Sequence, residues 1–336
     1  MKAVAFTHSL PIEHGESLFD LELPDPAPGD HDLLVEVEAV SVNPADAKRR
    51  IRTAADRPHE TPLILGYDAV GVVRACGKAV AGFAPGQRVW YAGDASRPGS
   101  NAELQCVDHR IAAFAPASVT PGAAAAMPLV SLTAWEMLFD RLAVPTGVSS
   151  GTLLVIGGAG GVGSATIQLA RRLTGLRVVA TASRPESAAW CREMGAHDVV
   201  DHRDLVAAYR GLGVEYADYI VQYADLARHW EAMCELIAPQ GRIGTIVETA
   251  EKIDISALQA KSAALCWELM FTRPLFGTAD MAKQGMILER IARLVDDGTI
   301  RTTQTKTLHG LSAATLRQAH GIIESGSMIG KLVVEY

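Results

Sequence analysis

The run Leu153-Leu154-Val155-Ile156-Gly157-Gly158-Ala159-Gly160-Gly161-Val162-Gly163 decides how the rest of the chain is read. Residues 152–156 are a mostly apolar stretch of strand length. Residues 164–173 carry Ala165, Ile167, Leu169 and Ala170 at helical spacing. Between them Gly158, Gly160 and Gly163 fall on the positions of Gly-x-Gly-x-x-Gly. The first is expected to permit a tight turn out of the strand and the second to let a pyrophosphate approach the backbone. The third lets the following helix pack closely. Free N–H groups at the helix start, with Gly161 and Val162 among the residues that offer them, would face phosphate oxygens along the helix dipole. A glycine-rich loop alone is weak evidence and can be an ordinary strand-to-helix connection. Here a strand precedes it, a helix follows, and a second strand arrives at 177–182, so the pattern is read as a dinucleotide site.

The end of that second strand bears on which dinucleotide. An acidic residue there would accept hydrogen bonds from ribose hydroxyls. This chain has Ser183 and Arg184 instead. A guanidinium at that point would grip a 2′-phosphate, and a charge-assisted hydrogen bond contributes about 1.5–3 kcal/mol. His202, with Arg203, follows the next strand and would approach the same adenosine edge. These features point to NADP(H), with a solvated Arg184 at a helix start as the plain alternative.

Strands and helices alternate outward from the loop: a helix at 185–194, strands at 199–200 and 218–222, a helix at 226–237 and a strand at 242–247. This alternation predicts βαβ units and a doubly wound parallel sheet of α/β class, the Rossmann arrangement. The amino-terminal third reads differently. Short β-branched runs at 4–6, 33–42, 69–75 and 88–92 are separated by turns such as Pro28-Gly29-Asp30 and Pro85-Gly86, which suits an antiparallel, partly open barrel. Helical periodicity at 123–127 and 132–142 leads into the glycine loop. The tail offers helices at 286–296 and 313–324 and a strand at 332–335. The expected division is a substrate domain from 1–127 with 275–336, and a dinucleotide domain at 128–274.

A net charge of −7 without a block of Lys or Arg argues against a nucleic-acid partner, which needs clustered cations. No secretory signal pattern and no run of about 18–20 uninterrupted apolar residues is found, so no membrane partner is expected. The five cysteines are odd in number, scattered, and never in a Cys-x-x-Cys pair. That fits a reducing cytoplasm without a disulfide framework.

Several segments, in order, together carry a resemblance. They are Asn43-Pro44-Ala45-Asp46, Leu65-Gly66-Tyr67-Asp68-Ala69-Val70-Gly71, Pro85-Gly86-Gln87-Arg88-Val89, Gly99-Ser100-Asn101-Ala102-Glu103 and the 157–163 loop. With Trp267-Glu268-Leu269-Met270-Phe271-Thr272-Arg273 further on, the whole chain resembles the zinc-independent quinone oxidoreductase branch of the medium-chain dehydrogenases. It is most similar to the bacterial zinc-type alcohol dehydrogenase-like proteins. The resemblance implies a GroES-like barrel for the first domain. Zinc-using relatives place a Cys in the segment matching 42–46 and a His-Glu pair in the segment matching 66–68. Here those segments offer Asn43, Tyr67 and Asp68, poor zinc donors beside thiolate and imidazole. No cysteine-rich lobe is present at 93–101, and no metal is expected. A zinc-dependent alcohol dehydrogenase with atypical ligands, or a weakly catalytic NADPH-binding sensor, stays as an alternative.

The resemblance further implies hydride transfer to a quinone or an α,β-unsaturated carbonyl in a dry cleft between the domains. Candidates there are Asn43, Lys48 and Tyr67, with Asp46 and Tyr91. Asn43 would position the nicotinamide ribose or carbonyl. Lys48 would donate to the substrate oxygen, or else form a surface pair with Asp46. Tyr67 is catalytic or simply a core residue. Thr133 is implied near the nicotinamide ribose or phosphates, with Ser131 less firmly so. Tyr223 would flank the ring, and Val247 would offer backbone partners to the carboxamide. Arg97, Ser100 and Asn101 form a polar loop. The cluster Trp267, Met270 and Phe271 would line the substrate mouth or a subunit contact. A homodimer through edge strands in the region 242–255 is the expected assembly.

Overall fold

Leu33, Val35, Val37 and Ala39 are buried, while Leu34, Glu36 and Glu38 between them reach the surface. That period of two makes Asp32–Ser41 a strand with one face on a core. The computed structural model describes residues 1–147 and 150–336. It divides the chain into two compact units, Met1–Leu129 with Phe271–Tyr336, and Val130–Met270.

The first unit contains Lys2–Phe6 (β1), Phe19–Glu22 (β2), Asp32–Ser41 (β3), Leu63–Ile64 (β4), Asp68–Cys76 (β5), Arg88–Tyr91 (β6), Leu104–Asp108 (β7) and Ala112–Phe114 (β8). The second contributes Thr152–Ile156 (β9), Arg177–Thr181 (β10), Asp198–Val200 (β11), Ala217–Gln222 (β12), Ile237–Thr245 (β13) and Ala264–Trp267 (β14). The tail returns Gln304–His309 (β15) and Lys331–Glu335 (β16) to the first unit.

In the first unit the order is β15-β16-β3-β5-β6-β8, with β7 also on β3, beside a smaller sheet β2-β1-β4. Every pairing is antiparallel except β15 with β16. Val4, Phe6, Leu33, Val35, Val89, Tyr91, Leu332 and Val334 fill its core, joined by Leu316 and Ala319 of the helix Ala313–Glu324. Ser312 caps that helix by accepting from Thr315 N–H.

The second unit is one parallel sheet in the order β11-β10-β9-β12-β13-β14. Succession reverses between β9 and β12, and in such sheets ligands bind at the carboxyl ends of strands beside that point. The glycine loop leaves β9 there.

Some boundaries differ from expectation. The strand expected to run to 247 ends at Thr245, where the Thr245 hydroxyl takes over the hydrogen bonding of the next turn. The edge of the sheet is β14, not the region around 253–255, where Ile255–Lys261 forms a 3₁₀ turn capped by Asp254. The helix expected at 132–142 is instead Pro128–Trp135 continued by a π-helical turn, Glu136–Arg141. By length and composition the helical stretch Pro121–Arg141 is long and apolar enough to cross a membrane. However, 89% of its apolar window is buried in the protein, as in a core helix.

Candidate active site

The glycine loop is built by its backbone. Gly157 takes φ +85°, which an L side chain resists, so the tight turn falls on Gly157 and not on Gly158 as expected. Gly158 is needed for a different reason: a Cβ there would lie 2.9 Å from Ala180 Cβ and 3.1 Å from Cys191 Sγ. A Cβ on Gly163 would lie 2.3 Å from Gly157 O and 2.7 Å from Gly158 Cα, so the helix is pressed against its own loop. On Gly160 the only neighbour within 4 Å would be Gly157 O at 3.7 Å, which leaves that side open for a ligand. The helix runs Gly161–Leu173 and starts earlier than 164, because Ser164 N–H closes the first turn on Gly160 O at 2.8 Å. Gly161 and Val162 thus sit in the first turn, whose N–H groups have no partner within the helix. The loop is half-exposed there.

Side chains that the motif does not specify hold this loop. Thr181, ending β10, accepts from Gly157 N–H at 3.1 Å. Ser164 Oγ donates to Gly160 O and accepts from Trp190 Nε1 at 2.8 Å. Tyr223 follows β12 with its N–H on Ile156 O, and its hydroxyl lies 2.9 Å from that of Thr166 on the glycine-loop helix. Burial raises the Tyr223 phenol, so it stays neutral. Val247 N–H donates to Thr245 Oγ1 at 3.2 Å, and that hydroxyl also reaches Gln222 Oε1 at 3.1 Å. The Val247 amide expected to serve a carboxamide is therefore engaged within its own turn.

At the far end of the row, Ser183 and Arg184 are exposed beyond β10. Arg184 occupies the N-cap of Pro185–Glu193, and its Nε reaches Ser187 Oγ at 3.2 Å and Glu186 at 3.3 Å. His202 is half-buried, edge-on to His229 with ring centres 5.8 Å apart. Arg203 does not join them, because it pairs with Asp201. His197 Nδ1 accepts from Val178 N–H at 2.9 Å. Thr133 and Ser131 are buried on Pro128–Trp135, and Ser131 Oγ has no hydrogen-bond partner.

In the first unit the structure corrects several expectations. Asn43 is 1% exposed and does not present its amide to a ligand. Its Nδ2 donates to Ser41 O and to Asp68 Oδ2 at 2.9 Å, and its Oδ1 accepts from Lys331 Nζ at 2.6 Å. Asp46 is equally buried and accepts from Asn43 N–H and Gly66 N–H, so it is no surface partner for Lys48. Burial pushes the Asp46 carboxyl up to about 7 against these hydrogen bonds and Lys331. Lys48 is half-buried on the helix Pro44–Thr53. Tyr91 is sealed in the barrel core with an unpartnered hydroxyl. Arg97 is a bidentate partner of Asp32. Tyr67 packs its ring 4.5 Å from Phe271. Its hydroxyl is hydrogen-bonded by Arg49, and burial with Asp46 nearby pushes it up to about 12. Lys331 and Arg49 were not legible as partners, because nothing in local spacing joins residue 331 to 43 or marks one arginine among three.

Comparison with known proteins now has a geometry to rest on. The family described as alcohol dehydrogenase GroES-like domain matches residues 29–135, and that described as zinc-binding dehydrogenase matches 194–334. A zinc-type alcohol dehydrogenase-like protein of Staphylococcus aureus is 40% identical over 338 residues, covering 99% of each chain. The chain belongs to the medium-chain dehydrogenase/reductase superfamily. A Rhizobium etli protein described as a candidate zinc-dependent alcohol dehydrogenase has 46% identity and a TM-score of 0.95. The match covers all of this chain and 98% of that one. A mycobacterial protein solved with NADPH has 25% identity and a TM-score of 0.84 over the full length of both.

The family name raises zinc, and the residues do not suit it. Asp68 Oδ1 accepts from Leu129 N–H at 2.7 Å, while Oδ2 serves Asn43 and lies 3.5 Å from the Lys331 ammonium. A buried cation already answers this carboxylate, Asn43 is fully engaged, and Tyr67 is a neutral phenol. Among the described residues no three His, Cys, Asp or Glu side chains are grouped to hold a metal. A dinucleotide does suit the second unit, because the open side of Gly160 and the first-turn amides form an anion cradle.

Proposed function

We propose that this medium-chain dehydrogenase is an NADPH-dependent reductase of quinones or α,β-unsaturated carbonyls that works without a metal. The carrying observation is the cradle at Gly157–Gly163 followed, at the end of β10, by Ser183 and Arg184 with no carboxylate at either position. NADPH, when bound, supplies the hydride. The first-turn amides of Gly161, Val162 and Gly163 hold the diphosphate. Arg184 trades its contacts with Ser187 and Glu186 for the 2′-phosphate, and His202 stands at the same edge. Thr133 and the Tyr223 ring bound the nicotinamide end, with the Val247 turn beyond.

Tyr67 is the proposed donor to the substrate oxygen. Arg49 donates to its hydroxyl, which leaves the phenolic proton to stabilise a developing oxyanion or enolate. Asn43 acts at one remove by holding Lys331 and Asp68, and Lys48 is retained as a weaker donor. The absence of a zinc ligand set in the segments 42–46 and 66–68 supports the metal-free reading. We further propose a cytoplasmic homodimer joined through β14, where Trp267 and Leu269 are each 53% exposed.

The test is a steady-state screen of small quinones and enones with NADPH and NADH in parallel, repeated with Arg184→Asp. Turnover favouring NADPH, with the preference reduced ten- to a hundredfold in the variant, is expected. Tight binding without turnover of any acceptor would point to a sensor instead. Near-stoichiometric zinc lost together with activity would overturn the metal-free reading.

A further inference from the structure

Two carboxylic acids are buried together in the second unit, beside its edge strand β14. Glu268 follows β14, and Glu136 opens the π-helical turn Glu136–Arg141; their side chains are 0% exposed. Arg141 Nε donates to Glu268 Oε2 at 2.6 Å and its Nη2 lies 3.7 Å from Glu136 Oε2. Glu136 Oε2 and Glu268 Oε1 are buried with no hydrogen-bond partner, and two neighbouring buried carboxyl groups facing one cation favour a proton held between them. One guanidinium therefore faces two acids that hold a single negative charge while that proton is present. The position is fixed mechanically, because Met137 lies so close over β13 that a Cβ on Gly244 would meet its Sδ at 2.2 Å.

This pair lies in register with the proposed site. Ile156, which precedes the glycine loop, pairs with Gln222, Gln222 with Thr245, and Thr245 with Trp267. Glu268 N–H then donates to Thr245 O. The row thus runs from the diphosphate cradle through Tyr223 and the Val247 turn to Glu268. A second unexplained group stands in it: Gln222 Nε2, in a side chain wholly buried, has no hydrogen-bond partner.

We infer that the Glu136–Glu268 pair is a charge-compensating group for the nicotinamide ring, binding its shared proton beside the neutral reduced ring and releasing it beside the cationic oxidised ring. The inference rests on the proposed NADPH function. Hydride loss leaves a positive charge on the ring, and a pair freed of its proton offers one net negative charge to meet it. Burial, then the neighbouring Glu136 carboxylate, push the Glu268 carboxyl up to about 8 against Arg141, so the exchange is available near neutral pH. The other charged or titratable groups facing the cluster are Tyr223 on β12, Cys266 on β14, whose Sγ reaches Arg141 O, and Arg242 on β13, whose Nη1 reaches the same carbonyl. Burial raises both Tyr223 and Cys266, away from this range.

Calorimetry of NADP⁺ and NADPH binding, in buffers of different ionisation enthalpy, tests the inference. The wild-type protein should release a fraction of a proton on binding NADP⁺ and none on binding NADPH. The ratio of the two dissociation constants should shift toward NADP⁺ by about tenfold between about pH 7 and about pH 9, the effect of one charge about 10 Å away at an effective dielectric of about 20. Titration of the 2′-phosphate cancels in that ratio. Glu268→Gln keeps an acceptor for Arg141 and removes the titration, so both the proton release and the shift should vanish. Glu136→Gln should do the same if the first variant folds poorly. A flat ratio in the wild type, or a shift kept in both folded variants, overturns the inference while leaving the function intact. No heat with either nucleotide overturns the function and this inference together.

Discussion

Lys331 Nζ donates a 2.6 Å hydrogen bond to Asn43 Oδ1, and both side chains are almost wholly buried. The same ammonium reaches Val42 O at 3.0 Å and Asp68 at 3.5 Å, so β16 is tied to the end of β3 and the start of β5. Lys331→Met should strand the Asp68 charge and lower stability by about 3–5 kcal/mol. Denaturant unfolding of the variant and of Asn43→Ala checks this. Equal stability in Lys331→Met would remove the network from the account.

The glycine loop separates folding from binding. Gly163→Ala forces a Cβ to within 2.3 Å of Gly157 O and should lower both thermal stability and NADPH affinity. Gly160→Ala meets only one atom, at 3.7 Å, so it should melt with the wild type. Its methyl group projects into the anion cradle, and fluorescence titration should show NADPH affinity reduced about tenfold or more. Two variants with the same profile would mean the cradle has been misassigned.

Tyr67→Phe removes the proposed proton donor and keeps the ring contact with Phe271. A fall of about 10²–10⁴-fold in kcat with unchanged NADPH affinity is expected. Lys48→Met should lower kcat less. The reverse order in stopped-flow hydride transfer would hand the donor role to Lys48.

His320 lies 0% exposed on the helix Ala313–Glu324, with neither ring nitrogen hydrogen-bonded, and Glu324 is 4.0 Å away. Burial, helped by Arg50, depresses it to about 3 from an ordinary 6.5. The unfolded chain then binds the extra proton between these values. Stability is fully present above about pH 6.5 and falls as pH drops toward 3, by a total of order 4–5 kcal/mol. His320→Leu should flatten that part of the stability-against-pH curve. Other acids cancel in the difference between the two proteins, and parallel curves would contradict the assignment.

Chelation offers a last check. Prolonged dialysis against a zinc chelator should leave both turnover and melting temperature unchanged, because Lys331 already answers the Asp68 carboxylate. A loss of either that is restored by zinc would refute this.

Much of the second unit was legible in sequence because its signals are local. β9 follows from four apolar residues before glycines, and Asp225, accepting from Arg228 N–H, starts a helix where the pattern said one should be. The short edge strand β14 and the helix Pro44–Thr53 were not read. The first is four residues with no alternation, and the second has a weak apolar face among Lys48, Arg49, Arg50 and Arg52. Among site residues, the turn glycine was misplaced by one position, because a motif records residue identity and not φ.

Sequence alone determined the superfamily, the alternation that makes a parallel sheet, the glycine loop proposed as the diphosphate cradle and the lack of acid after β10. These depend on residue type and spacing along a few turns of chain. Only the tertiary structure decided which polar groups are occupied: that Lys331 reaches Asn43, that Arg49 supports Tyr67, and that Glu136 meets Glu268. Such pairs lie tens to hundreds of residues apart, and the desolvation that gives them their chemistry arises only once folding has removed the water.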